Sequence, residues 1–155
     1  MQAKAQTIMS KNLITIATGS PLTEAISIME NFKIRHLPVL NEKNQILGVL
    51  IKRDFSFLQN IENTPVDFFM ATPPLYMDQN TPLRNAILKI LADRSSFLLI
   101  TGNGNEVVGI VTTDDLLWYL AHLVGGSQQN KFSFSSLFDL QTIGEAAQQL
   151  ALAGI

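Results

Sequence analysis

Two stretches of the chain, GVLIKRDF at 48–55 and GIVTTDDL at 109–116, decide how it folds. They lie 61 residues apart, and the same offset aligns residues 7–55 with 68–116 without a gap. Met9 meets Met70, Pro21-Leu22 meets Pro82-Leu83, Ala25-Ile26 meets Ala86-Ile87, Leu37 meets Leu98, Asn44 meets Asn105, Gly48 meets Gly109 and Asp54 meets Asp115. Nine of the 49 aligned positions are identical, against about three expected for unrelated sequences at ordinary residue frequencies. The identities fall on structural punctuation, so the chain reads as one unit written twice.

Ser20-Pro21 and Thr81-Pro82 each place a capping residue before a proline at the expected first helical position. Leu22, Ala25, Ile26 and Met29 then recur at i, i+3, i+4 and i+7, as do Leu83, Ala86, Ile87 and Ile90, and each set forms one apolar stripe. The apolar runs LPVLN (37–41) and ILGVLI (46–51) flank the turn-forming EKNQ, and FLLIT (97–101) and VVGIVT (107–112) flank GNGNE, which reads as two strand pairs. A further helix is expected after each pair, over 53–61 and over 114–124, with extended lead-ins at 13–16 and 74–77. Two repeats are too few for a solenoid, which leaves a closed pair about a pseudo-twofold axis. Thr112-x-x-Asp115 before the apolar run Leu116–Leu120 has the form of a capping box. The same hydroxyl and carboxylate could equally hold the hydroxyls of a sugar.

With the repeat length, the Met9 and Met70 lead-ins, the S/T-P-L-x-x-A-I helix starts, RHLPV at 35–39 and the two strand-to-helix junctions in place, the chain resembles the tandem CBS domains, named after cystathionine β-synthase. The similarity covers residues ~5–122, and it is the ordered set of motifs that makes it specific. It implies an α+β (α/β) fold: two β-α-β-β-α repeats, ~7–61 and ~68–124, packed as one pair over residues 1–124. It also implies a regulatory module that is not an enzyme, that often dimerises, and that binds AMP, ADP, ATP or S-adenosylmethionine between its repeats.

In the family a G-h-x-[ST]-x-x-D junction supplies a hydroxyl and a carboxylate to the ribose and nearby phosphate. Here it falls on Gly109, Thr112 and Asp115. A carboxylate can accept from both hydroxyls of a ribose. Leu75-Tyr76 and Phe97-Leu98-Leu99 are expected to line an apolar slot for the base, with Ser95 and Ser96 at its mouth. The first repeat keeps Gly48 and Asp54 but has Ile51 where the hydroxyl should be, so its site, with Pro38, is the weaker one. Asp114 beside Asp115 opposes a phosphate at the second helix start. Phosphates are therefore expected to point across to Lys52, Arg53, Arg35 or His36, unless the ligand carries little negative charge or those cations are merely solvated.

Eleven Lys and Arg against thirteen Asp and Glu give a net charge of −2, without the basic face that nucleic acid requires. There is no cysteine, which removes disulfides and thiolate chemistry and makes a cytoplasmic location the expectation. No window approaches the ~18 apolar residues needed for a membrane span. Two histidines and no HExxH, GxSxG, Walker or GxGxxG motif give neither a catalytic residue nor a metal ligand set.

After Val124 the composition changes to a Gly, Ser and Gln linker over 125–139. Thr142-Ile-Gly-Glu145 then opens an expected C-terminal helix over 140–155, which could reach a regulated partner or a second chain. The competing expectation is a structural homodimerisation module whose clefts bind nothing.

Overall fold

The computed structural model describes residues 3–58 and 61–124. In chain order the elements are β1 (Ile16–Ala17), α1 (Leu22–Asn31), β2 (His36–Leu40), β3 (Ile46–Ile51), β4 (Met70–Ala71), β5 (Tyr76–Asp78), α2 (Leu83–Ala92), β6 (Phe97–Thr101), β7 (Val107–Thr112) and α3 (Thr113–Val124). The expected linker at 125–139 and helix at 140–155 lie outside the described residues.

Leu22, Ala25 and Met29 form the buried stripe of α1, and Leu83, Ala86 and Ile90 that of α2, as the periodicity requires. Both helices end on a residue with positive φ, Lys33 at 55° and Arg94 at 50°. The next amides, of Ile34 and Ser95, return to the carbonyls of Met29 and Ile90, each at 3.0 Å, which closes the last turn. Their starts depart from expectation. Pro21 and Pro82 stand at the N-cap position itself, and no side chain caps either helix. Instead Leu22 donates its amide to the Thr64 carbonyl and Leu83 to the Ala3 carbonyl, both at 2.8 Å.

These donors reveal how the repeats are joined. Strands order as β1-β2-β3-β4 in one sheet and β5-β6-β7 in the other, with the lead-ins β1 and β5 parallel to β2 and β6. The hairpins turn through Asn44 and Asn105, at φ 58° and 63°, a conformation asparagine tolerates better than most residues. β4 belongs to the second repeat by sequence, yet pairs with β3 of the first through Val49↔Ala71 and Leu50↔Met70. Reciprocally, Ser10 of the first repeat bridges Ile110 of the second. Ala5 is accordingly fully buried in the second repeat's core, and Val66 in the first's.

This exchange explains the two shared glycines. A Cβ on Gly48 would stand 2.8 Å from the Ala71 carbonyl oxygen, and one on Gly109 would stand 2.8 Å from that of Ser10. Only a residue without a side chain lets the crossing segment lie flat.

Both faces of each hairpin are buried. Leu98 and Ile100 of β6 face their own repeat's core with Leu83, Ala86, Ile90 and Val111, while Phe97 and Leu99 join Val49 and Ile110 in a third cluster between the sheets. Val49 and Ile110 are equivalent positions at the 61-residue offset, so this central seam straddles the pseudo-twofold axis. Strands covered on two sides read as continuous apolar runs rather than as alternation, which is the pattern seen at 46–51 and 97–101.

The pair of β-α-β-β-α repeats is complete in the second half and shortened in the first. Where a helix was expected over 53–61, Lys52–Asp54 forms a single 3-10 turn, and Phe55 drops into the first repeat's core; residues 59 and 60 lie outside the described set. Ile51 has no hydroxyl with which to cap a helix, and Asp54 pairs with its neighbour Arg53 at 3.2 Å instead of reaching back.

Candidate ligand-binding site

Thr112 ends β7 and Asp115 stands in the first turn of α3. One carboxylate oxygen of Asp115 accepts both the Thr112 amide and its hydroxyl, each at 2.7 Å, and the Asp115 amide donates back to that hydroxyl at 3.3 Å. The capping box is therefore formed in full. It uses Oδ2, and among the described residues Oδ1 has no side-chain partner, so a second donor can be accepted on the same carboxylate. Burial pushes the Asp115 carboxyl up from its ordinary value, against the two bonds from Thr112, and the neighbouring charge of Asp114 adds to the rise.

Next to this turn the two repeats touch through polar groups. The Thr113 amide donates to the Ser96 carbonyl at 3.0 Å, as its counterpart Lys52 does to Arg35 at 2.9 Å. Ser96 Oγ lies 2.9 Å from Nε2 of His36 in the opposite repeat. The His36 ring faces Phe97 with centroids 5.8 Å apart and planes 53° apart. Burial holds the imidazole well below its usual value, at about 4, with Asp114 opposing that shift and Arg35 reinforcing it. Arg35 itself forms an ion pair with Asp114 across the repeats. Arg35, His36, Ser96, Phe97 and Asp114 thus make one cluster at the rim of the seam, adjoining Thr112 and Asp115.

The remaining expected residues scatter. Tyr76, first in β5, is partly exposed, and its hydroxyl lies 3.5 Å from the Ile46 carbonyl of the other repeat. Ser95 spends its hydroxyl locally, donating to the Phe97 carbonyl at 2.9 Å and accepting the Phe97 amide at 3.2 Å. Leu98 corrects the expected slot. Strand alternation turns it away from Phe97 and Leu99 into the second repeat's own core, where it is fully buried. Pro38 is buried in β2 opposite Val49. Lys52 reaches Glu30 at 3.5 Å, and Arg53 and Asp54 are exposed and paired with each other. The first repeat therefore presents no counterpart of the Thr112–Asp115 arrangement.

One relationship escaped the sequence reading. Asp114, expected as an obstacle to phosphate, and Arg35, expected as its anchor, neutralise one another. The repeat offset carries part of the signal: it sets 36 against 97, and Ser96 beside Phe97 is bonded to Thr113 at the start of α3, where Arg35 also arrives.

Two repeats that exchange their lead-in segments and meet at a polar cluster define a paired-repeat module, and comparison with known proteins agrees. The CBS domain family model matches residues 5–58 and 66–122, most of the chain, and the chain belongs to that family. Inosine-5′-monophosphate dehydrogenase of Methanocaldococcus jannaschii is 26% identical over 114 residues, covering 74% of this chain but 23% of that enzyme. The chain spans less than a quarter of the length of curated relatives that it matches. Among solved structures, the CBS domain pair of protein MJ0100 in complex with 5′-methylthioadenosine and S-adenosyl-L-methionine aligns with a TM-score of 0.69 at 23% identity, over 83% of this chain and all of that one. The CBS domain of a bacterial CNNM/CorC family Mg2+ transporter in complex with ATP aligns with a TM-score of 0.67 at 16% identity, over 74% and 84%.

Proposed function

We propose that the chain is a regulatory module that binds an adenosine compound, AMP, ADP, ATP or S-adenosylmethionine, at the Thr112/Asp115 end of its second repeat, and that occupancy alters how the repeats or two copies pack. The observation that carries this reading is continuity. Asp115 is one residue from the Arg35–Asp114 ion pair, and Thr113 is bonded to Ser96, which touches His36. A ligand that engages Oδ1 of Asp115 acts beside the polar contacts between repeats, and a difference in its affinity for two packings is all a switch needs. The adenosine ligands of the MJ0100 pair and the ATP of the transporter domain support the ligand class. The role is sensing and not catalysis. A phosphate reaching Arg35 must displace Asp114, so ligands with little negative charge bind without opening that pair.

A second reading rests on a specific observation: Thr112 Oγ1 and Asp115 Oδ2 already satisfy one another as a cap. On that reading the chain is a structural homodimerisation module and binds no nucleotide. Thermal shift with AMP, ADP, ATP, S-adenosylmethionine and NAD separates them, since a ligand at ~100 times its Kd stabilises by ~2.7 kcal/mol. Asp115→Ala is expected to abolish that shift while costing the free protein about 1 kcal/mol, the loss of a cap. No shift from any of the five compounds at millimolar concentration sinks the sensing proposal.

A further inference from the structure

Four fixed charges face His36 from the elements packed around it. Arg35 precedes it in the chain, Arg53 and Asp54 come from the turn after β3, and Asp114 comes from the start of α3. The segment leading into β6 offers only Ser96 and Phe97, and Ile51 of β3 stands opposite His36 in register. Two cations and two acids cancel, and they are already joined as Arg35–Asp114 and Arg53–Asp54. Lys52, from the same turn, reaches Glu30 at 3.5 Å. Among the described residues, the cations of this rim therefore all have acid partners, and a neutral imidazole completes a rim without net charge.

A phosphate breaks that balance. A phosphate monoester carries about −1.5 to −2 at pH 7, and one that enters beside Arg35 displaces Asp114 and leaves both negative charges in place. Arginine stays protonated and an ordinary carboxylate stays ionised near neutral pH, so His36 is the group of these five whose charge can change there. An opposite charge close by favours the imidazolium, the more so where water screens weakly.

The hydrogen bonding accommodates this change with the ring in place. Nε2 of His36 lies 2.9 Å from Ser96 Oγ. An imidazolium donates from both nitrogens, so Ser96 becomes the acceptor and its own O–H can turn to donate to the phosphate. The equivalent of His36 in the second repeat is Phe97, so one repeat alone can respond in this way.

We propose that an adenosine ligand bearing a phosphate binds this rim together with one proton, held on His36, and that an adenosine ligand without phosphate binds without the proton. The inference rests on the reading of the Thr112/Asp115 end as an adenosine site, and makes that site answer to acidity through anionic ligands. In the free chain burial keeps the ring neutral down to about 4, so the proton is taken from solvent as the phosphate arrives. The bound value then lies above the free one, and affinity for the phosphate ligand rises as pH falls between the two.

The test is an NMR titration of the His36 imidazole in the full chain, with His122→Gln leaving a single histidine. The midpoint is read alone, with saturating AMP and with saturating adenosine, while thermal shift reads binding separately. AMP is expected to raise the midpoint by about one pH unit or more, which corresponds to about a tenfold gain in AMP affinity from that proton. Adenosine should leave it unmoved. Asp114→Asn, which hands Arg35 to the phosphate, is expected to bind AMP with most of that rise gone. AMP that binds without moving the midpoint, or adenosine that moves it equally, overturns the inference and leaves the site standing. Failure of both compounds to shift the melting temperature sinks the site and the inference with it. A midpoint that AMP still raises in Asp115→Ala upholds the proton uptake and removes Asp115 from the site.

Discussion

His36 and Phe97 occupy equivalent positions in the two repeats and face each other across the pseudo-twofold axis, their ring centroids 5.8 Å apart. The same position thus carries a titratable ring on one side of the axis and a purely apolar one on the other, and what surrounds the seam sets the behaviour of both.

His36 makes stability fall in mild acid. Its folded value is about 4 against 6.5 unfolded, so between these values the unfolded chain binds the extra proton and stability declines as pH drops through that window. The effect is of the order of 3 kcal/mol at pH 4, set by burial with the fields of Arg35 and Arg53 adding to it and those of Asp114 and Asp54 opposing it. Asp115 acts oppositely, because burial raises its value and the folded chain takes up that proton before the unfolded chain does as pH falls. Urea unfolding at a series of pH values, on the wild type and His36→Gln, checks this; the variant should lose most of the slope between 6.5 and 4.

The crossing segments make Gly48 and Gly109 intolerant of any side chain. Gly48→Ala and Gly109→Ala each press a methyl against a backbone carbonyl at 2.8 Å, beside Met70 and Met9 respectively. Each is expected to destabilise by roughly 1–3 kcal/mol. Equal losses in chemical denaturation are expected because the two sites are related by the repeat, and a neutral alanine at either would refute the exchanged arrangement.

The Arg35–Asp114 pair joins the repeats but is partly exposed, so a double-mutant cycle with alanine at both should give a coupling of only about 0.2–1 kcal/mol. Its consequence for ligands is larger in kind. Asp114→Asn frees Arg35 and removes the negative charge facing a phosphate, and is expected to raise affinity for ATP severalfold while leaving S-adenosylmethionine nearly unchanged. Titration calorimetry on both ligands reads the difference.

Thr112→Val removes a hydroxyl that both donates to Asp115 and accepts its amide. A loss of about 1 kcal/mol is expected, with reduced helicity at the start of α3 seen in amide exchange. The equivalent change Ile51→Val in the first repeat should show no such effect on exchange, since no helix is capped there.

The sequence by itself determined the units that depend on near neighbours. The stripes at Leu22, Ala25, Met29 and Leu83, Ala86, Ile90 fixed two helices, the asparagines at 44 and 105 fixed two hairpin turns, and the offset of 61 fixed the pairing of repeats. Thr112 and Asp115 were legible as a reciprocal pair because they stand only three positions apart. Only the tertiary structure decided which repeat each lead-in completes, why residues 48 and 109 are glycine, and that Leu98 turns from the seam while Phe97 enters it. It alone brought Arg35 to Asp114 and let Phe55 sink where a helix was expected. The physical reason is range: periodicity and capping record interactions within one or two turns, whereas contacts between segments some sixty residues apart are set by how two sheets and their crossing strands fill a common interior.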